Sequence, residues 1–209
     1  MKRILILAAL LASLGLTGCK TQETPAAPSA LDVIMTRTSI RSFTGDPVSK
    51  EQLETILKAG MAAPTAMNGQ PWRFVVVTDK DKIAEVFGNG PRSGMFTTAG
   101  AVIVVCGETT AMRKPFGQPD AAEVEMPNMF WYEDCSAATE NILLAAHTLG
   151  LGAVWTAGYP AMERIEPISA ALGIPAKVVP LCVIPLGVPA ENPEPKDKWK
   201  PENIHWEQW

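Results

Sequence analysis

The run Ala99-Gly-Ala-Val-Ile-Val-Val-Cys106 contains no charge and no apolar–polar alternation. A strand with one wet face alternates, so an unbroken apolar run predicts a strand covered on both faces and central in its sheet. Around it the pattern predicts strands over Arg73–Thr78, Gly152–Ala157 and Lys177–Leu186. A short helix is expected over Ala30–Met35. Another follows the capping box Ser49-Lys-Glu-Gln52, with Leu53, Ile56, Leu57 and Met61 at helical spacing. Asp79–Phe87 reads as a shorter helix stopped by Gly88, and Met162–Leu172 as another. The longest helix is expected to be capped by Asp134 and to run to about Leu149, with Ala138, Ile142, Ala145 and Leu149 on one face and Gly150 ending it. Helices and strands alternate irregularly, which predicts an α+β fold: a sheet of mixed strand direction flanked by helices.

Two stretches resist this pattern. Gly107–Tyr132 has no period and carries Pro115, Pro119 and Pro127, which marks a lid or binding loop. From Val188 the chain is a Pro-rich tail whose Trp199, Ile204, Trp206 and Trp209 call for burial, so the tail is expected to wrap another surface, such as that of a second subunit.

The beginning of the chain stands outside the fold. Lys2 and Arg3 precede an apolar stretch from Ile4 to Leu16, too short to span a bilayer comfortably but suited to a secretory signal. Leu16-Thr-Gly-Cys19 resembles a bacterial lipobox. Residues 1–18 are therefore expected to be a lipoprotein signal peptide, with Cys19 lipidated in the cell envelope; the alternative is a plain signal peptide. Residues 19–29 are a solvated tether, and residues 30–209 form one domain. Cys106 and Cys182 lie in apolar runs and are expected to be buried free thiols.

A net charge of −4 gives no footprint for nucleic acid. The chain has no P-loop and no nucleophile elbow. Gly88-Asn-Gly90 fails as a dinucleotide fingerprint because Pro91 interrupts it. His147 and His205 lie far apart, outside any zinc spacing, and no metal site is expected; His147, inside an apolar helix, reads as a packed or interface residue.

With nucleophile, metal and triad absent, cation clusters and polar loops point to a borrowed cofactor. Arg37-Thr38-Ser39-Ile40-Arg41 puts two cations and two hydroxyls within five residues, suited to a phosphate dianion. Taken alone, such a cluster also fits a solvated surface. Ala63-Pro-Thr-Ala-Met-Asn-Gly-Gln-Pro-Trp72 offers two carboxamides that can donate and accept, matching the uracil-like edge of an isoalloxazine; an ordinary Asn-Gly turn is the other reading. Gly150–Gly158 is a glycine-spaced strand end that allows close approach to a flat ring, and Pro195–Lys200 is basic enough to complete a phosphate clamp.

In this order, the four segments resemble the nitroreductase superfamily, from about Val33 to Trp209. The opening Arg-Arg-Ser-x-Arg motif is matched by Arg37, Thr38, Ser39 and Arg41. The Ala-Pro-Ser-x-x-Asn-x-Gln-Pro-Trp loop is matched by Ala63–Trp72, the long helix and Gly-Leu-Gly strand by Asp134–Gly158, and the basic tail by Lys196–Lys198. The resemblance implies an obligate homodimer with FMN at two intersubunit sites. Arg37, Ser39 and Lys198 are expected at the phosphate, with Thr38 and Lys196 beside them, and Arg41 near the ribityl chain and the N1/C2 side of the ring. Pro64, Thr65, Asn68 and Gln70 are expected to line the flavin, and backbone groups of Thr156, Ala157 and Gly158 to approach N5. Thr38 in place of the second Arg, and Lys198 where Arg is common, imply weaker FMN binding, with Lys196 and Lys200 as compensation.

The implied activity is a two-half-reaction transfer from a donor, NAD(P)H in the family, to a nitroaromatic, quinone or similar acceptor. Export removes NAD(P)H, which leaves a quinol or an envelope redox protein as donor, or a non-catalytic flavin- or partner-binding lipoprotein as the alternative; reductive dehalogenation is the rival chemistry. Arg41 is expected to stabilise the charge of the reduced ring. Arg41→Ala should lower the flavin reduction rate or potential, and wild-type values of both would remove that role.

Overall fold

The computed structural model describes residues 28–209; the expected signal peptide, the expected lipidation site Cys19 and the expected tether up to residue 27 lie outside the described residues. In chain order the elements are α1 (Ala30–Thr36), α2 (Lys50–Met61), β1 (Trp72–Val77), α3 (Lys80–Phe87), α4 (Gly94–Thr97), β2 (Ala101–Glu108), β3 (Thr110–Arg113), β4 (Val124–Pro127), α5 (Trp131–Thr148), β5 (Gly152–Ala153), β6 (Thr156–Ala157), α6 (Met162–Leu172) and β7 (Val178–Gly187). The main sheet has the order β1-β2-β7-β5, with β6 also on β7.

The apolar run is central, as its pattern requires. Successive side chains of a strand point to opposite faces, and β2 splits accordingly between two cores. Ala101, Ile103 and Val105 join Leu53 and Ile56 of α2 and Cys135, Ala138 and Ile142 of α5. Val102, Val104 and Cys106 join Ile83 and Phe87 of α3, Met95 of α4, and Val183. Each fully buried Ile or Val contributes about 1.5–3 kcal/mol. Ser49 makes its capping box with Gln52 as expected, and α2 lies so close to α5 that a Cβ on Gly60 would meet Ile142 Cγ1 at 2.9 Å.

Four expectations are corrected. Every strand pairing among the described residues is antiparallel, so the sheet is not mixed in direction. The strand expected over Gly152–Ala157 is two short pieces, β5 and β6, because the chain breaks its ladder at Val154–Trp155 before returning to β7. The aperiodic Gly107–Tyr132 stretch contains a hairpin, with Thr110 opposite Pro127 and Arg113 opposite Val124; mostly uncovered on its faces, it lacks the apolar alternation that would have revealed it. Finally, α5 begins at Trp131, three residues before Asp134, whose side chain is used elsewhere. Ala138 and Ile142 are buried on α5 as expected, whereas Leu149 lies at the exposed end.

The tail leaves Trp199 71%, Trp206 78% and Trp209 99% exposed, so this chain does not itself bury the aromatics. No helix among the described residues is long and apolar enough to cross a membrane.

Cys106, Cys135 and Cys182 are all free and buried. Loss of hydration pushes each thiol up to about 12, aided for Cys106 by Cys182 and for Cys135 by Asp134. An unfolded thiol ionises near about pH 8.5. The folded chain holds these protons longer, so the contribution is complete below that pH and is lost as pH rises toward about 12. The three thiols should resist a thiol reagent at pH 8 in the folded protein and react on unfolding; rapid reaction in the folded state would show them accessible.

Candidate functional site

The two ends of the domain meet through a backbone clamp. Ile40 N–H donates to the Ala153 carbonyl at 3.1 Å, Thr44 N–H to Val188 at 3.0 Å, and Ala190 N–H to Ser42 at 2.9 Å. Phe43 bridges Pro189 and is buried at its side chain. Glu191 Oε1 accepts from the backbone N–H groups of Arg41 and, at 3.1 Å, Ser42. A close fit completes the clamp: a Cβ on Gly152 would stand 2.6 Å from Ile40 Cγ2.

This clamp assembles a cleft of about 290 Å³ lined by Arg37, Thr38, Ser39 and Arg41 from one end and Pro193, Glu194, Lys196 and Lys198 from the other. Four cations thus face one carboxylate, Glu194, and two hydroxyls lie between them. Arg37 also pairs with Glu140 of α5, Nε to Oε1 at 3.4 Å, which fixes its stem without consuming its whole fork of donors. A multivalent anion is the matching ligand.

Arg41 also lines a second cavity, of about 440 Å³. Phe87, Phe96 and Trp155 give it flat apolar walls. Thr156, Ala157 and Gly158 form one side, with Asn89, Arg92 and Arg164 among the other polar groups lining it. Ligand cavities are commonly about 300–1,000 Å³ and mainly apolar with a few placed polar groups. Thr156 Oγ1 donates to Val183 O at 2.6 Å. The Gly158 and Tyr159 N–H groups both donate to Leu181 O, at 3.1 and 3.0 Å. Gly158 is glycine because of packing: a Cβ there would meet Ile165 Cγ2 at 2.9 Å and Leu181 O at 3.0 Å. Close approach to a flat ring is not needed to explain it.

The carboxamide loop stands apart from both cavities, since none of Pro64, Thr65, Asn68 or Gln70 lines either one. Ala66 N–H donates to Asp134 Oδ1 at 2.9 Å, whereas Arg37 is held at Glu140 on the same helix. Six residues on a helix amount to about 9 Å along the axis and about 240° around it, so the two segments are anchored on different faces of α5. The loop is held in unusual backbone: Met67, Asn68 and Gln70 have φ of 51°, 54° and 47°. Non-glycine residues there cost about 1–3 kcal/mol apiece and persist only where the surroundings enforce them. Gln70 N–H reaches Thr65 Oγ1 at 3.3 Å, and Gln70 Nε2 donates to Asn68 Oδ1 at 2.8 Å.

Of the expected site residues, Arg37, Thr38, Ser39, Arg41, Lys196 and Lys198 come together, and Arg41 joins Thr156, Ala157 and Gly158. Pro64, Thr65, Asn68 and Gln70 do not meet them within one chain. Arg92, Arg164 and Asn89 were missed. Arg92 follows the interrupted Gly88-Asn-Gly90 motif, where a cation beside a tight glycine turn was the available signal. Nothing in the sequence distinguishes Arg164 from a solvated helix residue. His147, expected as a packed or interface residue, is half-buried, with Nε2 3.1 Å from Thr36 Oγ1.

The sequence and the antiparallel sheet flanked by helices are those of a known family. A model of the Nitroreductase family matches residues 34–91 and 84–188, and the chain belongs to that family. A protein of Methanothermobacter thermautotrophicus named "Putative NADH dehydrogenase/NAD(P)H nitroreductase" is 41% identical over 179 residues, covering 86% of this chain and 87% of the relative. A crystal structure of a protein of the same name from Bacteroides thetaiotaomicron is 40% identical, with a TM-score of 0.76, over 87% of this chain and 99% of that one. The structure of an FMN-dependent nitroreductase from Clostridium difficile R20291 is 26% identical, with a TM-score of 0.70, over 86% and 99% of the two chains.

Proposed function

We propose that this protein is an FMN-dependent oxidoreductase that works as a homodimer, taking electrons from one partner and passing them to a nitroaromatic, quinone or similar acceptor. The observation that carries this reading is Arg41, shared by a cavity of cationic and hydroxyl groups and a cavity with flat aromatic walls. The donor set fits FMN: Arg37, Ser39, Lys196 and Lys198 suit its phosphate, and the cavity bordered by Phe87, Phe96, Trp155 and Thr156–Gly158 suits its ring. The name of the C. difficile relative supports FMN, and that of the M. thermautotrophicus relative supports NAD(P)H as a donor.

FMN supplies the two-electron carrier. The chain supplies charge and shape. Arg41 places a cation at the junction of the two cavities, where it would stabilise negative charge on a reduced flavin. The ionisable side chains lining the ring cavity are the guanidinium groups of Arg41, Arg92 and Arg164. Among the lining residues, therefore, electrostatic stabilisation stands in place of side-chain proton transfer. A second copy completes the site with its Pro64, Thr65, Asn68 and Gln70. The exposed tail aromatics supply apolar surface for that association.

The domain should purify as a yellow dimer that a reductant bleaches and a nitroaromatic or quinone restores. Lys198→Ala should weaken FMN binding about tenfold, in line with loss of one charge-assisted contact, and fluorescence titration reads it. A colourless protein that FMN cannot load would leave the non-catalytic lipoprotein as the better reading.

The Leu16–Cys19 lipobox supports an envelope location with the lipid on Cys19. An enzyme anchored there would not meet NAD(P)H, the donor in its relatives' names, at useful concentration, and a quinol or an envelope redox protein takes that place. Full-length protein should fractionate with membranes and incorporate labelled palmitate. Cys19→Ser should abolish both; unchanged fractionation and labelling would exclude the anchor.

A further inference from the structure

Asp134 is a charged residue buried to 6% exposure in the first turn of α5, yet it caps nothing there. Its Oδ1 accepts the Ala66 N–H at 2.9 Å, and its Oδ2 is buried without a hydrogen-bond partner among the described residues. A buried carboxylate is costly unless its setting compensates. The N-terminal turn of an 18-residue helix supplies part of that compensation through the helix dipole. What the carboxylate holds is the start of the loop whose Met67, Asn68 and Gln70 are left-handed.

Two neighbouring contacts brace the same loop farther on. Arg113 of the hairpin packs its guanidinium against Gly69, where an added Cβ would lie 2.7 Å from Nη2, and that same nitrogen donates to Asn128 Oδ1 at 2.8 Å. Arg73 Nη1 donates to Gln70 O at 3.3 Å while its Nη2 pairs with Glu108 at 2.8 Å. Both of these are half-exposed or long contacts. The Asp134 bond differs from them in coming from a buried side chain, and it acts at Ala66, where the turn begins.

Held this way, the loop presents a defined chemical edge. Gln70 Nε2 gives one of its hydrogens to Asn68 Oδ1, and the Asn68 amide hydrogens remain as donors beside the Gln70 side-chain oxygen as acceptor. A donor next to an acceptor complements an imide-like ring edge that itself alternates acceptor and donor.

We propose that Asp134 is the positioning residue that holds the Thr65–Gln70 loop in its left-handed form, so that the Asn68–Gln70 pair is preset for the pyrimidine edge of a flavin. The flavin part rests on the function proposed above. Asp134 acts through the loop and touches no reacting atom.

The test uses Asp134→Ala, Asp134→Asn and Ala66→Pro in the intact domain dimer. Asn keeps an acceptor at Oδ1. Proline deletes the N–H from the opposite side, at the first position of a short helical turn preceded by an extended Thr65, a setting that tolerates it. Two readouts are taken: hydrogen exchange at the 65–70 backbone amides without flavin, and FMN affinity by fluorescence titration. Asp134→Ala and Ala66→Pro should speed exchange at Gln70 and weaken FMN binding about tenfold or more, on the scale of one hydrogen bond to a charged group. Asp134→Asn should stay close to wild type in both. Undisturbed exchange and affinity in Asp134→Ala or in Ala66→Pro would overturn the proposal, and so would an Asn variant as impaired as Ala. If Asp134→Ala does not fold, Ala66→Pro and Asp134→Asn decide between these outcomes. Wild-type protein that binds no FMN would sink the proposed function instead, with the exchange comparison still deciding whether Asp134 holds the loop.

Discussion

The clamp between Ile40–Thr44 and Val188–Ala190 is the interaction on which the candidate site depends. Arg37 and Lys198 are separated by nearly the whole domain in sequence, and mutual repulsion alone would keep their charges apart. Backbone hydrogen bonds at Thr44 and Ala190, together with the buried Phe43, hold the two segments side by side. The like charges are thereby concentrated in one cleft. Such a concentration costs free energy in the empty protein and is offset when a multivalent anion binds.

Helix α5 plays a complementary part. It packs one face on the sheet and uses polar groups elsewhere on its surface as fixed anchors: Asp134 for the carboxamide loop, Glu140 for Arg37, Asn141 for the Ala59 carbonyl at 3.0 Å, and His147 for Thr36. A rigid helix sets the spacing between these anchors, so segments far apart in sequence are held at fixed relative positions. Because Asp134 and Glu140 project from different sides, one chain holds the phosphate-type cleft and the carboxamide loop apart. In the proposed dimer that separation is resolved, because the two components come from different copies.

Strand β2 was legible because a doubly covered strand must be apolar at every position, and the two cores then divide its residues by parity. The Ser49 capping box and the α6 boundaries were legible for a similar reason, since local hydrogen bonding and helical periodicity leave local marks. The β3–β4 hairpin left none, because its faces are largely uncovered. Asp134 misled: an acidic residue ahead of an apolar helical pattern reads as a cap, whereas here the helix starts earlier and the carboxylate serves a loop 68 residues away in sequence.

Residue types by themselves determined that this chain builds a sheet covered on both sides, carries basic and carboxamide motifs in a family-like order, and keeps its thiols in apolar surroundings. These are consequences of hydrophobic pattern and side-chain chemistry, which act over a few neighbours. Tertiary structure alone decided that Arg41 belongs to two cavities, that Arg92 and Arg164 line one of them, and that Gly158 is required by the packing of Ile165 and Leu181. Those facts arise from contacts between segments distant along the chain, and no local pattern encodes which distant partner a side chain will meet.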